Sequence, residues 1–354
     1  MKNNNVSNSE ILQKVNRESE KFDRESDSSC GIFNIKTATE TLKEANQMQI
    51  PKKLFGEFFH EGELCFLFAD TNIGKSLLAV QIANSISRGE EIKPLKIEAG
   101  AQKVIYFDFE LSTKQFENRY SENYKNHYEF NDNFLRAELD LERLSSTEIE
   151  KGIDFEKLLI NNLELAIKDY QAKIIIIDNL TYLGNQLEEG KKALPLIKRF
   201  HNLTRDLNVS ILILGHTPKR DLTKALTVNC LAGSKQFINF CDSAFAINKS
   251  CKDSSLRYLK QIKARATEVL YDSDNVIVFE VSKPSNFLKF DFVEFGSETE
   301  HLRNFTENER SQLEENILAL KESEPNLSVR KIAEQLGTNN NKVQRTLAKF
   351  KEPF

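Results

Sequence analysis

The residues Ala69-Asp70-Thr71-Asn72-Ile73-Gly74-Lys75-Ser76 stand between an apolar run, Leu64 to Phe68, and an amphipathic stretch, Leu77 to Ile86. A turn at such a junction exposes successive backbone N–H groups at the positive end of a helix dipole. Lysine followed by a hydroxyl residue completes an anion cradle, in which Lys75 reaches the β and γ phosphates and Ser76 holds Mg²⁺. The pattern predicts that residues 69–76 bind ATP or GTP. Ala69 occupies the place usually taken by a first glycine, where a Cβ narrows the conformations open to the turn.

Three more side chains fall at the ends of apolar runs. Asp178 closes Lys173 to Ile177, where a carboxylate holds the Mg²⁺ shell directly or through water; alone it equally fits a strand-capping aspartate. Glu110 ends Val104 to Phe109 and is the candidate base that orients the attacking water, or else a carboxylate favoured by the helix dipole ahead of Ser112 and Thr113. Asp108 shares its face but lies deeper and is the poorer candidate. His216 follows Ile211 to Gly215, placed to hydrogen-bond a γ-phosphate, or simply satisfied at a strand end.

Positioning these groups at one edge requires strands that run the same way. Strand-like runs at Lys103–Phe109, Lys173–Asp178, Ser210–Leu214, Ser243–Ile247, Arg257–Ile262 and Val276–Val281 alternate with helical patterns at Thr113–Asn126, Phe155–Tyr170 and Gly190–Leu207. That alternation predicts an α/β fold with a mostly parallel sheet covered on both faces. The last two strands are expected to form an antiparallel hairpin at the sheet edge.

The order of phosphate loop, Glu110, Asp178 and His216-Thr217-Pro218-Lys219 resembles the RecA-like ATPases of the RepA group, related to DnaB-type replicative helicases. Glu110 with Arg119, Gly233-Ser234-Lys235 and Lys263-Ala264-Arg265 add to the likeness, which covers roughly Pro51 to Lys283. The resemblance implies a RecA-like P-loop core using ATP and Mg²⁺, in a homo-oligomeric ring that is commonly hexameric. It implies that Lys263 and Arg265 project onto a neighbour's γ-phosphate, with Arg265 as the trans-acting finger. It also implies single-stranded DNA in a central channel, and the loop from Thr217 to Gly233 offers Lys219, Arg220 and Lys224 for phosphate tracking, without an aromatic for base stacking.

Ser328 to Leu347 has the form of a helix-turn-helix: Ser328 caps the first helix, Ile332 and Leu336 face inward, Gly337 permits the turn, and Val343 with Leu347 anchors the second helix. From Ser328 to Phe354 six basic residues stand against two acids, Glu334 and Glu352. Asn340, Asn341, Lys342, Gln344, Arg345 and Lys349 are the candidate duplex DNA contacts; a protein adaptor is the other use of such a module. The expected organisation is a disordered tail over 1–30, an ATPase domain over 31–295 with an N-terminal lead-in packed on its core, and the all-α module over 306–354.

The 354 residues carry 29% charged and 40% hydrophobic side chains and a formal charge of -4, which excludes a globally basic nucleic-acid binder and makes any DNA contact local. Five cysteines lack any C-x-x-C pairing and the five histidines do not join them at metal-ligand spacing. No apolar run reaches membrane-span length and the first thirty residues lack a signal-peptide centre, so a cytoplasmic protein without membrane contact is expected. The functional expectation is an ATP-hydrolysing DNA motor or helicase serving replication or mobilisation of a mobile element. The alternative is an ATP-switched DNA-binding regulator or defence ATPase that separates no strands.

Overall fold

Isoleucine at four consecutive positions, Ile174 to Ile177, sets the centre of the fold, because a strand without polar alternation must be covered on both faces. All four are at most 1% exposed. The computed structural model describes residues 29–30, 33–140, 155–179, 190–217, 221–228, 235–303, 307–338 and 340–349. In chain order the elements begin with α1 (Ala38–Ala45), β1 (Leu64–Ala69), α2 (Lys75–Arg88), β2 (Val104–Asp108), α3 (Thr113–Arg119) and β3 (Phe134–Glu138). There follow α4 (Phe155–Tyr170), β4 (Ile174–Asp178), α5 (Gly190–Asp206), β5 (Ser210–His216), α6 (Lys235–Phe240) and β6 (Ser243–Lys249). Last come β7 (Leu256–Ala264), β8 (Val276–Ser282), β9 (Lys289–Gly296), α7 (Glu307–Ser323), α8 (Val329–Gln335) and α9 (Asn340–Lys349).

One nine-stranded sheet runs in the order β9-β8-β7-β6-β1-β5-β4-β2-β3. Its strands from β6 to β3 pair in parallel, whereas β7, β8 and β9 extend it antiparallel. This is the expected α/β architecture with a mostly parallel sheet. Alternate residues divide the core: Phe66, Ile105, Ile175 and Ile213 pack with Leu163 of α4 and Phe200 of α5, while Leu67, Tyr106, Ile176 and Leu212 pack with Ile82 of α2. Because the central strands run together in register, Ala69 lies beside His216 and Asp108 beside Asp178. The site is thereby confined to one edge of the sheet, outside the carboxyl ends of its strands.

Several boundaries differ from the sequence reading. The helix from Thr113 stops at Arg119, and the chain doubles back between two-residue strands at Ser121–Glu122 and Asn126–His127. Asn123 and Tyr124 make that reversal in left-handed conformations, φ 52 and 59. The β7–β8 hairpin does form, but β9 covers it and takes the edge. Within the expected polar linker after Phe295, a short 3-10 turn over Glu298–His301 buries Glu298 and His301. The chain divides into two compact units after Pro51, and residues 33–51 are all exposed. Most of the tail falls outside the described residues; within it, Ser29–Cys30 pairs antiparallel with Phe33–Asn34.

Glu298 is the anchor of a buried network. Its carboxylate accepts hydrogen bonds from Leu226 N (2.7 Å), Tyr258 Oη (3.1 Å), Lys260 Nζ (2.6 Å) and Ser273 Oγ (3.0 Å), while Lys260 also donates to the Leu226 carbonyl at 2.7 Å. The network holds the loop that follows β5 to β7. Lys260→Met would strand the buried Glu298 charge and is expected to cost about 3–5 kcal/mol in a urea melt, most of it recovered by adding Glu298→Leu. A cost within 1 kcal/mol would mean that solvent reaches the pair.

Helices α7, α8 and α9 close on a small core of their own, Ile317, Ile332, Ala333 and Val343. Ser328 Oγ caps α8 by accepting from Lys331 N at 3.3 Å, and Gly337 makes the turn at φ 61, where a Cβ would be strained. Among the described residues no helix is long and apolar enough to cross a membrane.

Candidate nucleotide site

The loop between β1 and α2 is shaped at two residues. Asn72 and Gly74 take positive φ, 62 and 112, and Gly74 O accepts the first helical hydrogen bond from Leu78 N at 3.0 Å. Ala69 is an extended, buried strand residue paired with His216, so the Cβ in place of the usual glycine meets no backbone conflict. Asp70 is fixed by Thr217, whose hydroxyl donates to Asp70 Oδ1 at 2.6 Å while its N–H donates to Ala69 O. The loop is therefore tied to the residue after β5. Thr71 and Asn72 are exposed at its crest, with Ile73 and Gly74 half-buried behind them.

Lys75 is 6% exposed and its ammonium donates to the carbonyls of Ala69 (3.0 Å) and Asp70 (3.1 Å), with His216 Nδ1 3.0 Å away. Burial pulls its pKa down to about 8 against the opposing pull of Asp178, Glu110 and Asp70. The acceptors that Lys75 now holds are oxygens arranged around one cation, the arrangement that phosphate oxygens would replace.

Asp178 ends β4 fully buried, in register with Asp108. Tyr106 Oη donates to its Oδ2 at 2.5 Å, but its Oδ1 is buried with no partner. Burial pushes the carboxyl up to about 6, with Ser76 and Tyr106 pulling it back down. An orphaned carboxylate oxygen beside a serine hydroxyl is a hard donor set that suits Mg²⁺. Ser76 and Asp178 would hold the ion, which supplies charge neutralisation across the phosphates.

Glu110 lies beyond the end of β2, and His216 Nε2 is 3.5 Å from its Oε1. His216 beside it holds the carboxyl below the ordinary glutamate range, outweighing burial, with Lys75 and Asn179 acting in the same direction. Glu110 is thus ionised and half-exposed, the state a water-orienting base needs. Asp108 is committed elsewhere: it accepts from Glu110 N and Leu111 N and pairs with Arg136 at 2.9 Å. It shapes the turn on which Glu110 sits.

The structure brings together Lys75, Ser76, Glu110, Asp178 and His216, and adds residues that sequence reasoning missed. Asn179 donates from Nδ2 to Glu110 Oε1 and lies 3.0 Å from His216 Nε2, joining two strand ends. Tyr106 steadies Asp178, and Arg257 on β7 reaches the loop itself. Adjacency to Asp178 was the one available signal for Asn179; nothing local marked the other two.

The Lys263-Ala264-Arg265 run lies at the other end of the sheet, Ala264 beside Ser243 and Ser243 beside Cys65. Arg265 pairs with Asp242 at 3.0 Å, and Asp242 accepts Leu64 N at the start of β1. The length of β1, about 17 Å at the usual rise per residue, therefore separates Arg265 from its own phosphate loop. Lys263 donates to the carbonyls of Ile238, Asn239 and Cys241 at the end of α6, where a cation meets the negative end of the helix. Lys224 sits in a turn built on Asp221; Lys219, Arg220 and Gly233-Ser234 lie outside the described residues. Asn340, Asn341, Gln344, Arg345 and Lys349 are exposed on α9, while Lys342 is held by Glu314 of α7 at 2.6 Å and Lys349 lies 3.5 Å from the same carboxylate.

A family model described as AAA domain matches residues 33–221, which takes in the loop, Glu110, Asp178 and His216. The chain belongs to the AAA domain family. Its nine-stranded, mostly parallel sheet is a P-loop NTPase core, and the family places the chain among ATPases that bind nucleotide, usually with Mg²⁺. No curated protein matches the chain. The match ends at residue 221, so β6 to β9 and the three-helix module stand beyond it.

Proposed function

We propose that the chain is an ATP-driven DNA motor of the RepA-like helicase type, working as a homo-oligomeric ring, in replication or mobilisation of a mobile element. The observation that carries this reading is the placement of Arg265, half-exposed on a hairpin at the sheet end opposite its own loop. A cation so placed can complete only a neighbour's site, and head-to-tail repetition of such a contact closes into a ring. The cationic α9, presented by a capped helix-turn-helix, supplies a duplex contact that recruits the motor to DNA. A second reading, ATP-switched DNA binding without strand separation, is favoured by the lack of any aromatic from Thr217 to Gly233.

One comparison tests the proposal: the full chain and a form ending at Arg303, assayed for ATPase activity with and without single-stranded DNA, for duplex binding across a salt series, and for mass in ATP. The full chain should assemble in ATP and hydrolyse faster on single strands. The shortened form should retain turnover but lose duplex affinity and flatten its salt slope, because each phosphate contact contributes near unity to that slope. Turnover indifferent to single strands in an assembled protein would favour the switch; unchanged duplex affinity would make the module a protein adaptor.

A further inference from the structure

The strands beyond the family match reach back to the phosphate loop. Arg257, half-buried on β7, donates from Nε to the carbonyl of Ile73 at 2.9 Å, across 184 positions of sequence. Its Nη1 is held as well, donating to the carbonyls of Ser254 and Leu256 at 2.8 Å each. Beside it, Phe290 of β9 lies against Gly74, where an added Cβ would come within 3.0 Å of its ring. Gln81 of α2 exchanges two hydrogen bonds with the backbone of Phe290, 2.9 and 2.8 Å, locking the helix to the same edge strand.

Ile73 O and Gly74 N belong to one peptide unit. In a planar trans unit the carbonyl and the N–H point in opposite directions, so a donor that holds the carbonyl also fixes the direction of the amide hydrogen. Gly74 at φ 112 could otherwise let that plane turn, since glycine has no Cβ to resist it. We propose that Arg257 is a positioning residue for the nucleotide phosphates: by holding Ile73 O outward it keeps the Gly74 N–H aimed into the loop. The bond is charge-assisted on the donor side and half-shielded from water, which makes it stronger than the neutral bond that a shorter amide would form. Three donors fixed in one plane also distinguish Arg257 from a lysine, which offers a single point charge.

This inference rests on the nucleotide reading of the loop, and the test separates the two. ATP binding and steady-state hydrolysis are measured for the full chain and for Arg257→Ala, Arg257→Lys and Lys75→Ala, with thermal unfolding of each in the absence of nucleotide. Inorganic tripolyphosphate serves as a competitor that reports on the phosphate contacts alone. Arg257→Ala is expected to weaken ATP and tripolyphosphate about tenfold alike, raising KM with kcat within about threefold. Arg257→Lys should recover part of the affinity through one bond to Ile73 O. Equal affinity in the wild type and Arg257→Ala would overturn the inference while leaving the loop's role intact. So would a lowered unfolding temperature with unchanged KM, which marks a structural role only. If Arg257→Ala does not fold, Arg257→Gln carries the same comparison, with a weakening of about threefold expected and unchanged affinity overturning the inference. A wild type that binds neither ATP nor tripolyphosphate would instead sink the nucleotide reading itself.

Discussion

Arg265→Ala should bind ATP like the wild type and hydrolyse it about 10³ to 10⁵ times more slowly, the range seen when a finger that stabilises transferring charge is removed. The expectation follows from where the residue sits. Its guanidinium pairs with Asp242 beside Leu64, a full strand length from the loop that begins after Ala69, so it stabilises no phosphate in its own chain. Mixing decides the matter. Equal parts of Arg265→Ala and Lys75→Ala chains assembled at random should present, at about a quarter of their heterologous interfaces, an intact loop facing an intact finger. Turnover should rise above that of either parent, measured as phosphate release at fixed total protein. Mixed assemblies that stay silent would return Arg265 to a plain surface pair with Asp242.

The second large effect belongs to Glu110. Glu110→Gln keeps the size of the side chain and an oxygen able to accept from Asn179, but it removes the negative charge that polarises water. A loss of about 10² to 10⁴ in the chemical step is expected. Nucleotide affinity should hold within a few-fold, because the carboxylate is 42% exposed and its partners are His216 and Asn179 rather than the loop. Single-turnover hydrolysis beside equilibrium binding separates the two terms. An equal fall in binding would make Glu110 a structural partner of His216.

How much of this was legible beforehand depended on whether the signal was local. The loop from Ala69 to Ser76 and the isoleucine run from Ile174 to Ile177 carry their structure in their own composition, and their strand and helix were read with correct types. The polar residues at the ends of β2, β4 and β5 were found for the same reason, since an apolar run that stops at Asp or His marks a strand end. Edge strands were harder: β3 and β9 face a neighbour on one side only, and their mixed patterns, Phe-Leu-Arg-Ala-Glu and Lys-Phe-Asp-Phe-Val-Glu-Phe-Gly, read as irregular chain. The helical pattern after Ser112 runs on past Arg119 in the sequence because nothing in Glu-Asn-Tyr-Lys announces two consecutive left-handed residues. Asn179 and Arg257 escaped because their partners, Glu110 and Ile73, lie 69 and 184 positions away and meet them only once the sheet has formed.

The ring of His216 stands between two groups of the site. Its Nδ1 is 3.0 Å from the Lys75 ammonium, and its Nε2 is 3.5 Å from Glu110 Oε1 and 3.0 Å from Asn179 Nδ2. One rigid imidazole at the end of β5 thus spaces the lysine of the loop from the carboxylate beyond β2. The ring acts as a ruler across the strand ends: a shift of β5 relative to its neighbours carries both contacts with it, so the two charges keep their separation only while the three strands stay in register.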